Sequence, residues 1–199
     1  MPLTKLDTNA ALIVIDLQKG IASLPTVHPM KEIIGRAGAL AGAFRERGLP
    51  VVLVNVTAAA PGRTDMGPRN LSFSADWIEL VPELQQQSGD YLISKQRVGA
   101  FIGTSLDETL RRRNVTQVFV IGVATSSGVE STVRSAYDYG YNVVAVVDAM
   151  TDRDADAHRH SVEKSFPKFC ETDTSENVLK MIRERDTGGG TFSVFSRTF

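Results

Sequence analysis

Residues 118–141 read VFVIGVATSSGVESTVRSAYDYGY, and this stretch shows how the chain folds. Four apolar residues lead into a short turn of small residues, and the turn passes directly into a pattern whose apolar positions share one helix face. A strand that enters a helix through such a turn presents backbone N–H groups to whatever binds there. The stretch therefore predicts a strand–turn–helix unit with a binding site at its turn.

Similar apolar runs recur along the chain, with helical patterns between them. The runs are short and rich in β-branched residues, as in strands that are buried on both faces of a parallel sheet. They lie at residues 11–16, 50–56, 91–94, 117–122 and 142–148. This alternation predicts an α/β fold, a three-layer, doubly wound, Rossmann-like and mostly parallel sheet of about six strands.

Several helices carry recognisable boundary signals. Residues 30–48 show an apolar stripe with the helical period. Ser105 and Glu108 have the spacing of a capping box at the start of a second helix. Thr151 is a candidate N-cap for a helix over residues 151–164.

Charge, hydropathy and cysteine content exclude several classes of protein. The formal net charge is −1, which gives no basic surface for nucleic acid or anionic membranes. No apolar run approaches the roughly 18–20 residues of a membrane span, and the N-terminal segment reaches Asp16 too early for a signal peptide. The single cysteine, Cys170, excludes an internal disulfide and is typical of a reducing compartment. We therefore expect a cytoplasmic protein that binds neither nucleic acid nor membranes.

The length of 199 residues suits one domain, which we place at residues 1–186. Residues 187–199 form a Gly-linked tail with an apolar end that could pack on the domain or on a second subunit. The longest irregular stretch, residues 57–90, is rich in Gly, Pro and Ser. A long loop of this kind in a compact domain is often a lid over a functional site.

Polar residues follow three of the predicted strands. Asp16 ends the first strand, Lys95 follows the third, and the small-residue turn that ends at Gly128 follows the fourth. Taken singly, Asp16 could be a turn or capping aspartate and Lys95 a surface lysine. Because ligands bind beyond the carboxyl ends of the strands in this fold class, we expect the three features to share one site.

The flanking residues of these features resemble those of the isochorismatase-like hydrolases, within the cysteine hydrolase superfamily. The resemblance covers most of residues 8–180. Its most specific parts are Asp16–Leu17–Gln18, Lys95-x-Arg97 followed by Ala100–Phe101, and Gly122–Val123–Ala124–Thr125 with Glu130–Ser131–Thr132. The resemblance implies an isochorismatase-like domain, an aspartate that acts as general base and a lysine that stabilises charge. It also implies a cis peptide bond at Val123–Ala124 and an anion-stabilising hole of backbone N–H groups in the turn.

Gly128 stands where most members of that family carry the nucleophilic cysteine. Glycine cannot form an acyl intermediate, Cys170 lies on another segment, and neither Ser126 nor Ser127 has an identifiable histidine partner. We interpret these serines as helix-capping hydroxyls. Authentic isochorismatases in the family also place a glycine here and cleave a vinyl ether, with the aspartate as proton donor.

The sequence features are compatible with two functions. The first is a hydrolase that acts on a small organic substrate by Asp16/Lys95 acid–base catalysis without a cysteine nucleophile, with vinyl-ether hydrolysis as one form. That chemistry needs a carboxyl with a raised pKa, whereas a lysine in contact would lower it. The second is a catalytically inactive homologue that binds a small ligand or serves a structural role.

Further residues are expected to contact the substrate. The candidates that the resemblance supplies are Gln18, Arg97, Phe101, Val123, Ala124, Thr125 and Ser127. Since the substrate of true isochorismatases is a dicarboxylate, Arg63 or Arg69 on the long loop could add cationic contacts, and Trp77 could form a wall.

No metal and no other cofactor are expected. His158 and His160 lie two residues apart on a predicted helix and so point in different directions. The Gly-rich phosphate-binding fingerprints are missing as well. The expected partners are a small-molecule substrate and further copies of the chain in a homodimer or homotetramer, as is common in the family.

Overall fold

The computed structural model describes residues 2–65 and 73–184. Its strands are β1 (Ala10–Ile15), β2 (Val51–Val56), β3 (Tyr91–Lys95), β4 (Gln117–Val123), β5 (Asn142–Thr151) and β6 (Glu171–Asp173). They form one sheet in the order β3-β2-β1-β4-β5-β6, and every neighbouring pair is parallel. The predicted doubly wound α/β fold is confirmed. The sixth strand was not located in the sequence because it has only three residues, too few for a periodic pattern.

Seven α-helices connect and cover the strands in the described part of the chain. They are α1 (Lys19–Ala22), α2 (Met30–Glu46), α3 (Ala75–Ile78), α4 (Leu106–Arg112), α5 (Glu130–Asp138), α6 (Ala155–His160) and α7 (Ser175–Glu184). Two π-type segments, Thr125–Val129 and Ser161–Ser165, lead into α5 and extend α6.

Two predicted helix caps are wrong. Ser105 makes no capping hydrogen bond, and the backbone N–H of Leu106 donates to Oγ1 of Thr104 instead. Thr151 does not cap a helix because β5 continues through it. Helix α6 begins after Asp154, whose side chain accepts the backbone N–H groups of Asp156 and Ala157.

The strands bury both faces of the sheet. Along β1, Leu12 and Val14 face a core shared with α2 and α7, whereas Ile13 and Ile15 face a second core shared with α4 and α5. Side chains alternate in this way because successive residues of a strand point to opposite faces. The fully apolar strand sequences are thus explained by two cores, one on each face.

The strand order reverses between β1 and β4, so a crevice is expected at their carboxyl ends. Gly122 allows the two strands to approach closely there. It has φ 116°, and a Cβ atom at this position would lie 2.0 Å from the carbonyl oxygen of Ile15. The residue that follows Ile15 is Asp16, so this close approach lies directly beside the predicted site.

Parts of two predicted features fall outside the described residues. These are the tail at 187–199 and residues 66–72 of the long stretch, which include Arg69. The rest of that stretch contains α3 and a short 3-10 turn at Pro82–Leu84. None of the described helices is long and apolar enough to cross a membrane.

Candidate active site

Asp16 and Lys95 form a buried ion pair at the carboxyl edge of the sheet. Nζ of Lys95 lies 2.7 Å from Oδ2 of Asp16, and their side chains are 3% and 6% exposed, respectively. Asp16 has φ 53°, a left-handed conformation that aspartate tolerates better than most residues and that often marks functional sites. The structure therefore brings together the two residues that the sequence placed at the ends of β1 and β3.

The two partners differ in how completely they are bonded. Nζ of Lys95 also donates to the carbonyl oxygens of Arg97 at 3.3 Å and Val98 at 3.0 Å. With Asp16, these acceptors match the three hydrogens of an ammonium group. Oδ1 of Asp16, in contrast, is the one buried side-chain polar atom without a hydrogen-bond partner in the described part of the chain. Such an unpaired buried oxygen is costly and calls for a ligand or water.

Burial and Lys95 act in opposite directions on Asp16. Burial disfavours the carboxylate and raises its pKa, whereas the charge and hydrogen bond of Lys95 lower it. Burial is the larger effect, and the pKa of Asp16 is raised to about 6. The Asp16 carboxyl can therefore gain and lose a proton close to neutral pH.

Gly128 lies directly beside this carboxyl. A Cβ atom there would lie 3.4 Å from Oδ2 of Asp16 and 3.1 Å from a methyl group of Ile15. These neighbours leave little room even for a Cβ atom, and the chain presents no nucleophilic side chain at this position. Cys170 offers no substitute: its Sγ donates to the carbonyl oxygen of Phe166, and burial raises its pKa to about 12.

We call residues 124–128 the β4–α5 turn. The peptide bond that enters it, between Val123 and Ala124, is cis. Oγ1 of Thr132 donates to the carbonyl oxygen of Gly128 at 2.6 Å and accepts the backbone N–H of Ala100 at 3.1 Å. These two bonds fasten the end of the turn to the segment that follows β3, the strand that ends at Lys95.

Several N–H groups at the β4–α5 turn are already bonded. The backbone N–H of Ser126 donates to Oδ2 of Asp152 at 2.7 Å, and those of Ser127 and Val129 donate to the carbonyl oxygen of Ala124. Oγ of Ser126 also donates to Asp152, so this serine does not cap a helix as predicted. An anion-stabilising hole here would have to use other N–H groups of the turn, and exposed Ser127 can contribute only its hydroxyl.

Glu130 anchors the helix that follows the turn. Its carboxylate accepts hydrogen bonds from the hydroxyls of Ser161 and Ser165 and from the guanidinium of Arg134. These bonds, against the opposing effect of burial, lower the pKa of Glu130. The carboxylate thus holds the start of α5 against the segment after α6, which fixes where Gly128 is presented.

Gln18 supports the site without reaching Asp16. Its side-chain amide donates to the carbonyl oxygens of Val56 and Trp77 at 3.2 Å, and it accepts the backbone N–H of Val56 at 2.8 Å. The indole of Trp77 in turn covers Gly20, where it leaves no room for a Cβ atom. Fully buried Gln18 therefore ties the segment after β1 to the end of β2 and to the long stretch.

Phe101 is buried in the core shared with α4 and α5. Its ring lies 5.2 Å from that of Tyr139 and 6.1 Å from that of Tyr141, which precede β5 at the amino edge of the sheet. Half-buried Arg97 donates to the carbonyl oxygen of its neighbour Gln96. Arg63 is exposed.

A polar cluster on the β4–α5 turn has no recognisable signature in the sequence. Nδ1 of His158 lies 2.8 Å from Oγ1 of Thr125, and Nδ1 of His28 lies 3.1 Å from Oγ1 of Thr151. His158 was considered only as a metal ligand, and His28 lies in a loop with no motif to mark it. In residues 2–65 and 73–184, no group of three or more His, Cys, Asp or Glu residues is arranged to hold a metal ion.

Known proteins resemble this chain in sequence and in fold. Residues 10–177 match the family described as Isochorismatase domain. The chain is 36% identical to the uncharacterized isochorismatase family protein YwoC of Bacillus subtilis, over 88% of this chain and 95% of YwoC. It is 30% identical to the ureidoacrylate amidohydrolase RutB of Variovorax paradoxus, over 74% and 71% of the two chains. An isochorismatase family protein from Burkholderia thailandensis has the same fold, with a TM-score of 0.86 and 37% identity over 89% of this chain and 97% of that one.

Proposed function

The chain belongs to the isochorismatase family of small-molecule hydrolases, and we propose that Asp16 exchanges the proton in its reaction, with Lys95 as electrostatic partner. The observation that carries the proposal is the buried, unpaired Oδ1 of Asp16, on a carboxyl whose other oxygen, Oδ2, faces Gly128 and Lys95. A substrate atom or a water that reaches Oδ1 would contact an oxygen that has no other partner.

The raised pKa of Asp16 suits a proton donor. With a pKa of about 6, roughly a tenth of the carboxyls are protonated at pH 7, and the fraction grows as the pH falls. Lys95 stabilises the carboxylate that remains after the proton has left. A group that cycles between both forms near the working pH is the kind that general acid–base catalysis needs.

Vinyl-ether hydrolysis fits this arrangement. The Asp16 carboxyl would donate its proton to the terminal methylene carbon, which leaves a cation stabilised by the ether oxygen. Water then adds to the cationic carbon and gives its proton to the Asp16 carboxylate. The resulting hemiketal collapses to a carbonyl compound and an alcohol, and no covalent bond to the protein forms at any step.

A second candidate is ligand binding without turnover, which the absence of a nucleophilic side chain at Gly128 favours. Incubation of the purified protein with isochorismate and with an amide panel that includes ureidoacrylate separates the two. We expect turnover of the vinyl ether that is lost in the Asp16→Asn variant. Binding of small carboxylates without turnover of any substrate would instead support the second candidate.

A further inference from the structure

Two histidines lie against each other beside the β4–α5 turn. His28 belongs to the loop before α2, and His158 belongs to α6. Their ring centroids are 4.7 Å apart, with an angle of 63° between the planes, so that one ring meets the other edge to face. Both side chains are half-buried, and the chemistry proposed for Asp16 and Lys95 uses neither.

The Nδ1 edge of each ring faces the protein interior. His158 meets the hydroxyl of Thr125, and His28 meets the hydroxyl of Thr151. Both threonines are fully buried. Thr125 lies three residues before Gly128, and Thr151 pairs with Val123 in the sheet. The histidine pair is thus fastened to the same turn that presents Gly128 to Asp16.

The Nε2 edges have no partner. No described residue forms a hydrogen bond with Nε2 of His28 or His158. Neither Nε2 is a buried polar atom that lacks a hydrogen-bond partner, so both atoms are reached by solvent. The Thr151 hydroxyl accepts the backbone N–H of His28, and its own hydrogen can be donated to Nδ1 of His28 at 3.1 Å or to the carbonyl oxygen of Asp152 at 3.5 Å. An imidazole that accepts at Nδ1 from its threonine carries its proton on Nε2. In that tautomer each ring presents one N–H donor outward.

One carboxylate acts on the ring of His158. Asp152 is the nearby carboxylate, and its oxygens already accept two hydrogen bonds from Ser126 and those of the backbone N–H groups of Arg153 and Asp154. Burial and the neighbouring His28 lower the pKa of His158, although Asp152 partly offsets them. A bound anion would favour the protonated form of His158.

We propose that His28 and His158 form a carboxylate-binding subsite beside the β4–α5 turn. Two N–H donors on adjacent rings match the two oxygens of one carboxylate. If the proposed function holds, this subsite takes an acidic group of the substrate, and the reacting bond lies toward Gly128 and Asp16. The binding step itself rests only on the geometry of the two rings.

The chain contains three histidines in total, which makes the proposal directly testable by proton NMR of the imidazole Cε1–H signals. Sodium acetate is titrated into the full chain at constant ionic strength, with neutral acetamide as the comparison ligand. We expect saturable shifts of the His28 and His158 signals with acetate and none with acetamide. Exposed His160 serves as the internal control and should not respond.

Three variants separate anion binding from structural support. Asparagine keeps a polar atom at the position of Nδ1 and removes Nε2, so His28→Asn and His158→Asn retain the threonine contact. Each should weaken acetate binding by about tenfold or more, whereas His160→Asn should not change it. Asp16→Asn should abolish turnover and leave acetate binding intact, so failure of the proposed catalysis would not be mistaken for failure of the subsite.

The proposal is overturned if acetate produces no saturable shift of the two signals, or if His160 or acetamide gives the same response. It is also overturned if both asparagine variants bind acetate as the unchanged chain does. Should an asparagine variant fail to fold, the comparison of acetate with acetamide on the unchanged chain decides the question.

Discussion

Asp16 and Lys95 meet at 2.7 Å although β2 lies between their strands in the sheet. The pair is asymmetric: Lys95 has an acceptor for each of its ammonium hydrogens, whereas Oδ1 of Asp16 has no partner. The lysine is therefore held in place by its own surroundings, and its charge lowers the pKa of the aspartate. Because the aspartate has the oxygen without a partner, we propose it as the group that acts on the substrate.

Replacement of Asp16 by asparagine should abolish turnover and preserve the fold. The amide keeps the shape of the side chain but cannot exchange a proton, and general acid–base catalysis typically contributes about 10²–10⁴-fold in rate. Initial rates with isochorismate and circular dichroism of the same samples measure both effects. Asp138→Asn on the exposed end of α5 is the matched control. A rate loss below about tenfold for Asp16→Asn would remove Asp16 from the mechanism.

Replacement of Lys95 by methionine should move the pH dependence of the reaction. Lys95 lowers the pKa of Asp16, so its removal should raise that pKa above about 6. A reaction that needs the protonated carboxyl declines as the pH rises through this pKa, and in the variant the decline should begin at a higher pH, even at a reduced maximal rate. Profiles of kcat/KM against pH test this. An unchanged profile would show that Lys95 does not control the charge of Asp16.

No covalent intermediate should form on the protein. Gly128 provides no nucleophile, and the buried thiol of Cys170 has a pKa raised to about 12. Mass spectrometry during turnover should give the unmodified mass, and iodoacetamide should leave the activity intact. Gly128→Cys is the positive control: its Cβ atom requires the methyl group of Ile15, 3.1 Å away, to shift by a few tenths of an ångström, and its thiol should then be alkylated. A substrate adduct on the unchanged protein, or activity lost in step with Cys170 modification, would refute this prediction.

The chain is expected to assemble as a homodimer or homotetramer. One reason is that members of the family commonly form homo-oligomers. The other is the apolar tail at residues 187–199, which lies outside the described residues. Light scattering at micromolar concentration should give a multiple of 21.6 kDa. A chain truncated after Asp186 shows whether the tail contributes. A monomer at the full length would contradict the prediction.

The sequence predicted what local patterns and sheet geometry determine. Strand ends are visible as apolar runs, and parallel strands place their carboxyl ends at one edge, so the meeting of Asp16, Lys95 and Gly128 followed from their positions. The sequence does not show where a side chain points when its residue lies beyond the end of a strand. Gln18 binds the backbone of Val56 and Trp77, which are distant in sequence, so no local signal distinguishes this from a substrate contact.

The contact between His28 and His158 likewise has no local signal in the sequence, because His28 comes from a loop. His28 and His158 meet because the loop before α2 crosses to the end of β5, where the N–H of Val27 donates to the carbonyl oxygen of Asp152. Neither histidine has a periodic or motif context that predicts this contact. The missed helix cap at Asp154 has a related cause, since β5 extends further than its apolar run indicates.

If Asp16 exchanges the catalytic proton, its carboxyl titrates close to neutral pH, and carbon-13 NMR of the aspartate carboxyls measures this titration. The Asp16 signal is assigned by its loss in the Asp16→Asn variant and is then followed across pH. We expect a midpoint near pH 6, well above that of an ordinary aspartate. A carboxyl that is fully ionised already at about pH 5 would contradict it.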